Sequence, residues 1–199
     1  MEFKDIVRNR RAIRQYEPRP VPEDVIQELL EIIRFSVSAM NLQPWKIKVV
    51  SDQETKEKAF AATFGLEQIR VCSHALILCA DVDYPSIIAR LERAMAAAGV
   101  PADRRESTVA FATQLTGDMT PDQRLAWSRE QVHIALGNAV NGAYSLGLGA
   151  CPMTAFDPTV LGRALGLPET LMPTAIVTVG YAAEEGAPKV RHPVSDILI

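Results

Sequence analysis

The sequence predicts a single α+β domain that contains more helix than strand. Its 199 residues, 48% of them hydrophobic, are enough to bury one full core. Short segments with the composition of strands, three or four in all, are spread among longer segments with helical periodicity. No stretch is rich enough in Gly, Ser or Pro to indicate a linker between two domains. We therefore expect residues 1–199 to form one domain.

The N-terminal part is predicted to begin with two helices. Apolar residues at helical spacing indicate a short helix over residues 3–7. Three prolines then keep the chain extended, and the last of them, Pro22, suits the first position of a second helix that ends near Phe35. The predicted buried stripe of this second helix consists of Val25, Leu29, Ile32 and Ile33.

A polar loop over residues 37–45 precedes a strand and a capped helix. Residues 46–50 alternate like a strand with one solvated face. Ser51 and Glu54 match a capping box, which predicts a helix from Asp52 to about Ala61. Residues 75–80 form a short continuous apolar run, typical of a central strand that is buried on both faces.

Three helices are predicted between residues 84 and 146. Residues 84–98 and 103–117 are helix-prone, and Gly99 separates them. Thr120, followed by a proline and by Gln123 three residues after the cap, predicts the start of a long helix. That helix can extend to about Leu146, a length of roughly 39 Å. Its second half is apolar nearly all round, so we expect it to be buried.

The remaining segment is predicted to contain one more helix and one more strand. On composition alone, residues 152–155 are a loop between helices. Asp157 and Pro158 start a short helix that ends at Gly166, and residues 174–180 are the last core strand.

The composition excludes several classes of protein. A formal net charge of -3 argues against general nucleic-acid binding, which usually requires a basic face. No apolar run has the length of a signal peptide or of a membrane span. Cys72, Cys79 and Cys151 have no paired spacing and the three histidines are scattered, which indicates free thiols in the cytoplasm and no metal site.

Four arginines within seven positions, Arg8, Arg10, Arg11 and Arg14, form the strongest local charge signal. Like charges this close repel each other, so a fold keeps them together only in open solvent or around an anion. Guanidinium groups suit phosphate oxygens, and each charge-assisted hydrogen bond contributes roughly 1.5–3 kcal/mol. Residues 8–16 are therefore either a solvated basic turn or an anion site.

The sequence lacks the common motifs of self-sufficient active sites. It contains no GxSxG elbow, no HExxH pair and no Walker loop. Gly147-Leu148-Gly149 follows a helix and has no third glycine, so it does not match a dinucleotide fingerprint. If the protein is an enzyme, a bound cofactor supplies its reactivity.

Four segments in order resemble the nitroreductase family of FMN enzymes, and together they span nearly the whole chain. The resemblance implies a three-layer α/β/α fold, in which helices flank a small, mostly antiparallel sheet, and an intertwined homodimer. The segments are residues 10–16 (RRAIRQY), residues 38–45 (SAMNLQPW), residues 147–149 (GLG) with Cys151-Pro152, and residues 189–191 (KVR).

The resemblance also implies which residues contact FMN. In the family, an arginine segment holds the phosphate and the pyrimidine edge of the ring, and a C-terminal basic pair closes on the phosphate. A loop from the partner subunit reaches the flavin, and a segment after the long helix lies against the ring. Taken singly, each of these residues has an ordinary explanation as a loop residue or a surface charge, and only their joint order favours a cofactor site. The matching residues are Arg10, Arg11, Ala12 and Arg14; Val37, Ser38, Ala39, Asn41 and Gln43; Gln68; Pro152, Met153, Thr154 and Ala155; and Lys189 and Arg191.

The implied activity is that of an NAD(P)H-dependent FMN oxidoreductase. A hydride would pass from NAD(P)H through flavin N5 to a nitroaromatic, quinone or similar small acceptor in a ping-pong sequence, without a catalytic side chain. Residues 84–120 would form the lid over the acceptor. Alternatives are another chemistry of the same fold (dehalogenation, enone reduction or flavin fragmentation) and a non-catalytic flavin- or anion-binding protein.

Two departures from the family pattern affect the implied site. Ala12 stands where a serine is common, which removes a hydroxyl that would bond the phosphate. Thr154 and Ala155 stand where many relatives have a carboxylate and a glycine. Several cationic contacts remain, so FMN binding is still expected.

Overall fold

The computed structural model describes residues 1–199 and contains eight α-helices and one four-stranded sheet. The predicted α+β class is therefore correct, with more helix than strand. The elements in chain order are α1 (Phe3–Asn9), α2 (Glu23–Arg34), β1 (Trp45–Val50), α3 (Gln53–Phe60), α4 (Gln68–Val71), β2 (His74–Asp81), α5 (Tyr84–Ala97), α6 (Ala102–Gly117), α7 (Pro121–Ser145), β3 (Gly149–Met153), α8 (Pro158–Ala164) and β4 (Leu171–Gly180), with 3-10 turns at Ala39–Asn41 and Val194–Ile197.

The strand order is β1-β2-β4-β3, and every neighbouring pair is antiparallel. All eight residues of β2 are buried, as predicted for a central strand. The strand β3 corrects the sequence analysis, because Pro152 and Met153 belong to an edge strand and not to a loop. An edge strand tolerates a proline, since one side of it needs no ladder hydrogen bonds.

Helices cover both faces of the sheet. On one face, α2 and α7 pack through Leu29, Ile33 and Ala139 against the even-numbered residues of β2. On the other face, α3, α4 and α8 contribute a separate cluster that includes Ile69 and Leu161. The predicted three-layer α/β/α arrangement is confirmed.

The cap of α7 is as predicted, and the cap of α3 is not. At α7, Thr120 and Gln123 form the full capping box, with Gln123 N donating to Thr120 Oγ1 at 3.3 Å and Thr120 N donating to Gln123 Oε1 at 2.8 Å. At α3, Asp52 is the cap and accepts a hydrogen bond from Thr55 N at 2.8 Å, so the predicted box starting at Ser51 was wrong by one residue. An aspartate caps as well as a serine and also favours the helix dipole.

The helices α5 and α6 form a hairpin with its own small core. Tyr84, Ile87 and Leu91 of α5 pack against Ala112 of α6. The same cluster includes Leu42, which belongs to the loop before β1 and is 3% exposed. The hairpin therefore packs directly against that loop.

One face of α7 is open within a single chain, which differs from the expected complete burial. Ile134 is 39% exposed, and a Cβ added at Gly137 would meet no other atom within 4 Å. The opposite face is closed, because a Cβ at Gly142 would lie 2.8 Å from Ile32 of α2. None of the eight helices combines the length and the apolar composition that crossing a bilayer would require.

Candidate functional site

The arginine stretch after α1 lies along the free edge of β3. Ile13 N donates to Ala150 O at 3.0 Å, and Ala12 forms a parallel bridge with Ala150. Tyr16 fastens the end of the stretch, since its buried hydroxyl bonds Ile13 O at 2.7 Å and Thr178 Oγ1 at 2.8 Å. These contacts fix the backbone from which the arginine side chains project.

The C-terminal tail returns to the same stretch. Gly186 has a φ of +73°, and an added Cβ would lie 3.0 Å from Arg11 Cβ and 3.1 Å from Ala12 O, so only glycine allows this close approach. Arg11 Nη1 donates to Ala187 O at 3.3 Å, and Lys189 Nζ donates to Val7 O. The tail therefore brings its basic pair to the arginines from the other end of the chain.

The two basic segments line one cleft of about 290 Å³. Five cationic side chains meet there, and none of them forms a salt bridge with a carboxylate. Arg8 is exposed on α1 and lies outside the cleft. The lining residues are Arg10, Arg11, Ala12, Arg14, Pro152 and, from the tail, Ala187, Pro188, Lys189, Val190 and Arg191.

The electrostatics of the cleft favour the binding of an anion. Arg10 Nε is buried and has no hydrogen-bond partner. Burial and the neighbouring Arg191 lower the pKa of the Arg10 guanidinium. Burial and the nearby Arg10, Arg191 and Arg11 likewise lower the pKa of Lys189. A phosphate group would satisfy the orphaned donor and relieve the mutual repulsion.

The segment from Pro152 to Ala155 meets the cleft only in part. Pro152 is exposed and lines it. Met153 is buried among the side chains on the other face of the sheet, as the alternation of a strand requires. Thr154 and Ala155 are exposed just beyond the end of β3 and do not line the cleft.

Gln68 lies behind the cleft. It is 7% exposed on α4, and its Nε2 is 4.0 Å from the Sγ of Cys151, which lies next to Pro152 in β3. Burial raises the pKa of the Cys151 thiol, while the charge of Arg14 opposes that rise. The structure therefore brings Gln68 close to the arginine segment, but its side chain points into the protein at a cysteine.

The loop residues Val37, Ser38, Ala39, Asn41 and Gln43 are not brought to this cleft. The loop leads into β1, at the opposite edge of the sheet from β3, which corresponds to about 14 Å across three strand spacings. It also lies near the other end of the strands. Trp45, which follows the loop, pairs with Ala80 of β2, whereas Ala150, which bonds the arginine segment, is level with His74 of β2. These two positions of β2 are six residues, or about 20 Å, apart. One chain therefore carries two separate halves of the predicted site.

The loop has an unusual, well-defined backbone. Met40, Asn41 and Gln43 have φ values of 54°, 54° and 48°, in the left-handed region that side chains other than glycine rarely adopt. Gln43 N donates to Ser38 Oγ at 2.9 Å, and Gln43 Nε2 donates to Asn41 Oδ1 at 2.9 Å. Strained backbone of this kind is concentrated at functional sites.

Two residues that shape the cleft were missed by the sequence analysis. Glu184 Oε1 accepts the backbone N–H groups of Arg14 at 2.5 Å and Gln15 at 3.1 Å, which orients the arginine segment. Gly186 permits the close approach of the tail. Neither has a local signal, because both act on residues about 170 positions earlier in the chain.

Comparison with known proteins identifies relatives along the whole chain. The model of the nitroreductase family matches residues 7–181. A Thermus thermophilus protein named NADH dehydrogenase is 36% identical over 199 residues, covering 100% of this chain and 96% of that protein.

Two solved structures have the same fold. A Staphylococcus epidermidis protein, provisionally named an NAD(P)H:FMN oxidoreductase, superposes with a TM-score of 0.94 at 18% identity, covering 100% of this chain and 95% of that one. An Exiguobacterium sibiricum protein, provisionally named a nitroreductase and solved in complex with FMN, gives a TM-score of 0.91 at 21% identity, covering 100% and 97%.

Proposed function

This chain belongs to the nitroreductase family, and from that premise we propose that it is an FMN-dependent oxidoreductase that takes electrons from NAD(P)H. The observation that carries the proposal is the cleft of five unpaired cations around the buried, partnerless Arg10 Nε. A buried donor without a partner is costly, so the partnerless Arg10 Nε among neighbouring cations favours a bound anion over a solvated basic turn. The FMN phosphate is the anion that the family offers.

The residues of the cleft fit a phosphate in number and kind. Arg10, Arg14 and Arg191 present planar donors, and Lys189 adds an ammonium group. Ala12 contributes only backbone, so the charged side chains supply the grip. The Pro152 edge of β3 leaves a surface against which the rest of the cofactor would rest, with Gln68 and Cys151 behind it.

Bound FMN would accept a hydride from NAD(P)H and pass electrons to a nitroaromatic, quinone or similar small acceptor. The chain itself binds and orients. No cluster of carboxylate, histidine and nucleophile lines the cleft, so we assign no side chain to proton transfer. Both substrates would use one site in turn, and parallel lines in double-reciprocal plots are expected.

Anaerobic mixing of the purified, FMN-loaded protein with NADH or with NADPH tests this function. The visible absorbance of the oxidised flavin should bleach with at least one donor and return when a quinone is added. A flavin that neither nucleotide bleaches would contradict the oxidoreductase assignment.

We further infer a homodimer in which each flavin site combines both chains. The cationic cleft and the strained loop lie roughly 14 Å apart across the sheet and 20 Å along it. A second copy could bring its loop to the cleft of the first, and the open face of α7 around Ile134 and Gly137 is suited to close contact between two helices.

Sedimentation tests the dimer directly. The wild-type protein should sediment as a dimer at micromolar concentration, and Gly137→Leu should shift it toward the monomer and weaken FMN binding. A monomer that still binds FMN tightly would refute the shared site.

Two kinds of alternative function remain: another flavin reaction, which would depend on the lid, and flavin binding without turnover. We expect residues 84–120, the α5–α6 hairpin that packs on the loop through Leu42, to choose the acceptor, so dehalogenation or enone reduction would be decided there. A non-catalytic flavin store would bind FMN but show no steady-state turnover with any acceptor.

The three buried, unpaired thiols are compatible with the reducing cytoplasm.

A further inference from the structure

We propose that Gln131 is a positioning residue that holds the loop over residues 36–43 in the conformation that meets the flavin, an inference that rests on the proposed function. The loop lies along α7, and two polar side chains of that helix bind it. Ala39 N donates to Gln131 Oε1 at 2.8 Å, and Asn138 Nδ2 donates to Ser36 Oγ at 2.9 Å.

The burial of these groups indicates that the contacts are specific. Gln131 is 7% exposed and Ser36 is 4% exposed. The neighbours of Gln131 on α7, Val132 and Ala135, are fully buried core residues, so packing alone would favour another apolar side chain there. A buried amide is costly unless it is hydrogen-bonded, and the bond that Gln131 makes is to the loop backbone.

The spacing of the two contacts matches a loop segment that follows α7. Gln131 and Asn138 are seven residues apart, which corresponds to about 10.5 Å along a helix. Ser36 and Ala39 are three residues apart, and a fully extended chain of that length spans about 10 Å. Ser38 is indeed extended, with φ and ψ of -150° and 158°. The segment therefore follows α7 and is attached to it at two fixed points.

The second fixed point comes immediately before the strained turn. Met40, Asn41 and Gln43 are left-handed, and Leu42 between them is buried under the α5–α6 hairpin. Ala39 is thus the last residue before the turn, and its bond to Gln131 determines where the turn starts. Without that bond the internal hydrogen bonds of the turn remain, but Ala39 is no longer held to α7, and the turn would shift its polar groups away from the flavin.

The effect on the cofactor follows from the population of the competent loop. The apparent dissociation constant equals the intrinsic one divided by the fraction of molecules with the loop in place. If loss of one hydrogen bond reduces that fraction to about a tenth, FMN binding weakens about tenfold. Gln131 acts through the loop backbone and not on the cofactor or a substrate, so its role is positioning.

The test compares four variants of the full-length protein by FMN titration, urea unfolding of the apo form and the absorption spectrum of the bound flavin. Gln131→Met removes the acceptor and keeps the side-chain length, and Gln131→Glu keeps an oxygen at the same place. Asn138→Ala removes the other contact. Ile26→Val removes one buried methyl group on α2, far from the loop contacts, and controls for lost stability.

We expect the FMN dissociation constant to rise about tenfold in Gln131→Met and at least threefold in Asn138→Ala, with an altered flavin spectrum. It should stay within twofold of the wild type in Ile26→Val and rise less in Gln131→Glu than in Gln131→Met, because glutamate keeps the acceptor oxygen but buries a carboxyl group. If Gln131→Met does not fold, the same criterion applies to Asn138→Ala.

Two outcomes overturn the inference alone, and a third overturns it together with the proposed function. Gln131→Met that folds and binds FMN within twofold of the wild type refutes it, as does an equal loss in Gln131→Met and Ile26→Val. A wild-type protein that binds no FMN refutes the proposed function and this inference together.

Discussion

Replacing Arg10 with methionine should weaken FMN binding while stabilising the apo protein. The Arg10 side chain makes no hydrogen bond within the chain, its Nε is buried without a partner, and Arg191 repels it. Methionine keeps most of the apolar stem and removes the charge. A change that acts in opposite directions on affinity and stability is the signature of a binding group that the fold itself does not need.

The magnitudes follow from the same contacts. Loss of one charge-assisted hydrogen bond, about 1.5–3 kcal/mol, raises the dissociation constant roughly 10- to 150-fold. Removal of a buried, unsatisfied donor should raise the free energy of unfolding by about 1 kcal/mol, the low end of its usual cost, because the residue is only half-buried. FMN should lose more affinity than riboflavin, which lacks the phosphate.

Fluorescence titration with FMN and with riboflavin, together with urea unfolding of the apo protein, measures both effects. Arg8→Met is the matched control, because Arg8 is exposed on α1 outside the cleft and should change affinity less than twofold. Equal losses for FMN and riboflavin, or an Arg10→Met variant no weaker than Arg8→Met, would refute the phosphate assignment.

Three further predictions concern the frame of the cleft. Tyr16→Phe removes a buried hydroxyl that bonds Ile13 O and Thr178 Oγ1, and should lower the free energy of unfolding by about 1–3 kcal/mol in urea titrations. Gly186→Ala should lower the free energy of unfolding, because the residue has a φ of +73° and an added Cβ would lie 3.0 Å from Arg11 Cβ. It should also displace the tail and so weaken FMN binding, which isothermal titration calorimetry measures. Backbone donors from Arg14 and Gln15 hold the pKa of Glu184 below its usual value. The carboxylate therefore stabilises the fold at neutral pH, and this contribution is lost as the pH falls below about 4.5. The difference in the free energy of unfolding between wild type and Glu184→Gln should shrink in that range.

A specific result would contradict each of these three predictions. Tyr16→Phe with unchanged stability would show that its hydroxyl bonds contribute nothing. Gly65→Ala is the control for backbone strain alone, because Gly65 also has a positive φ but no atom within 4 Å, and Gly186→Ala should be the worse of the two. A wild-type to Glu184→Gln difference that is constant with pH would exclude the carboxylate as its source.

Local physics decided most of the elements, and the sequence was informative there. The capping box of Thr120 and Gln123, the continuous apolar run of β2 and the breaks at Gly99 and Gly147 depend on residues within one or two turns of each other. Where two neighbouring residues satisfy the same local rule, the predicted cap or buried position was wrong. Ser51 and Asp52 can both cap a helix. The buried stripe of α2 includes Ile26, whereas Val25 and Ile32 of the predicted stripe are only half-buried.

The same limit explains the missed strand β3. Pro152 argues against a strand in a local reading, and only its place at the free edge of the sheet makes it acceptable. The left-handed loop at Met40, Asn41 and Gln43 contains no glycine to announce it, and its shape depends on Gln131, some ninety positions later in the chain.

The sequence by itself determined the fold class, the family and the two basic segments, because periodicity, caps and charge are properties of short stretches. Only the tertiary structure decided that Arg10 and Arg191 share one cleft, that Glu184 and Gly186 shape it, and that the loop with Asn41 lies at the opposite edge of the sheet. Those relations join residues far apart in the chain, and packing of the sheet against its helices, not local preference, sets the distances between them.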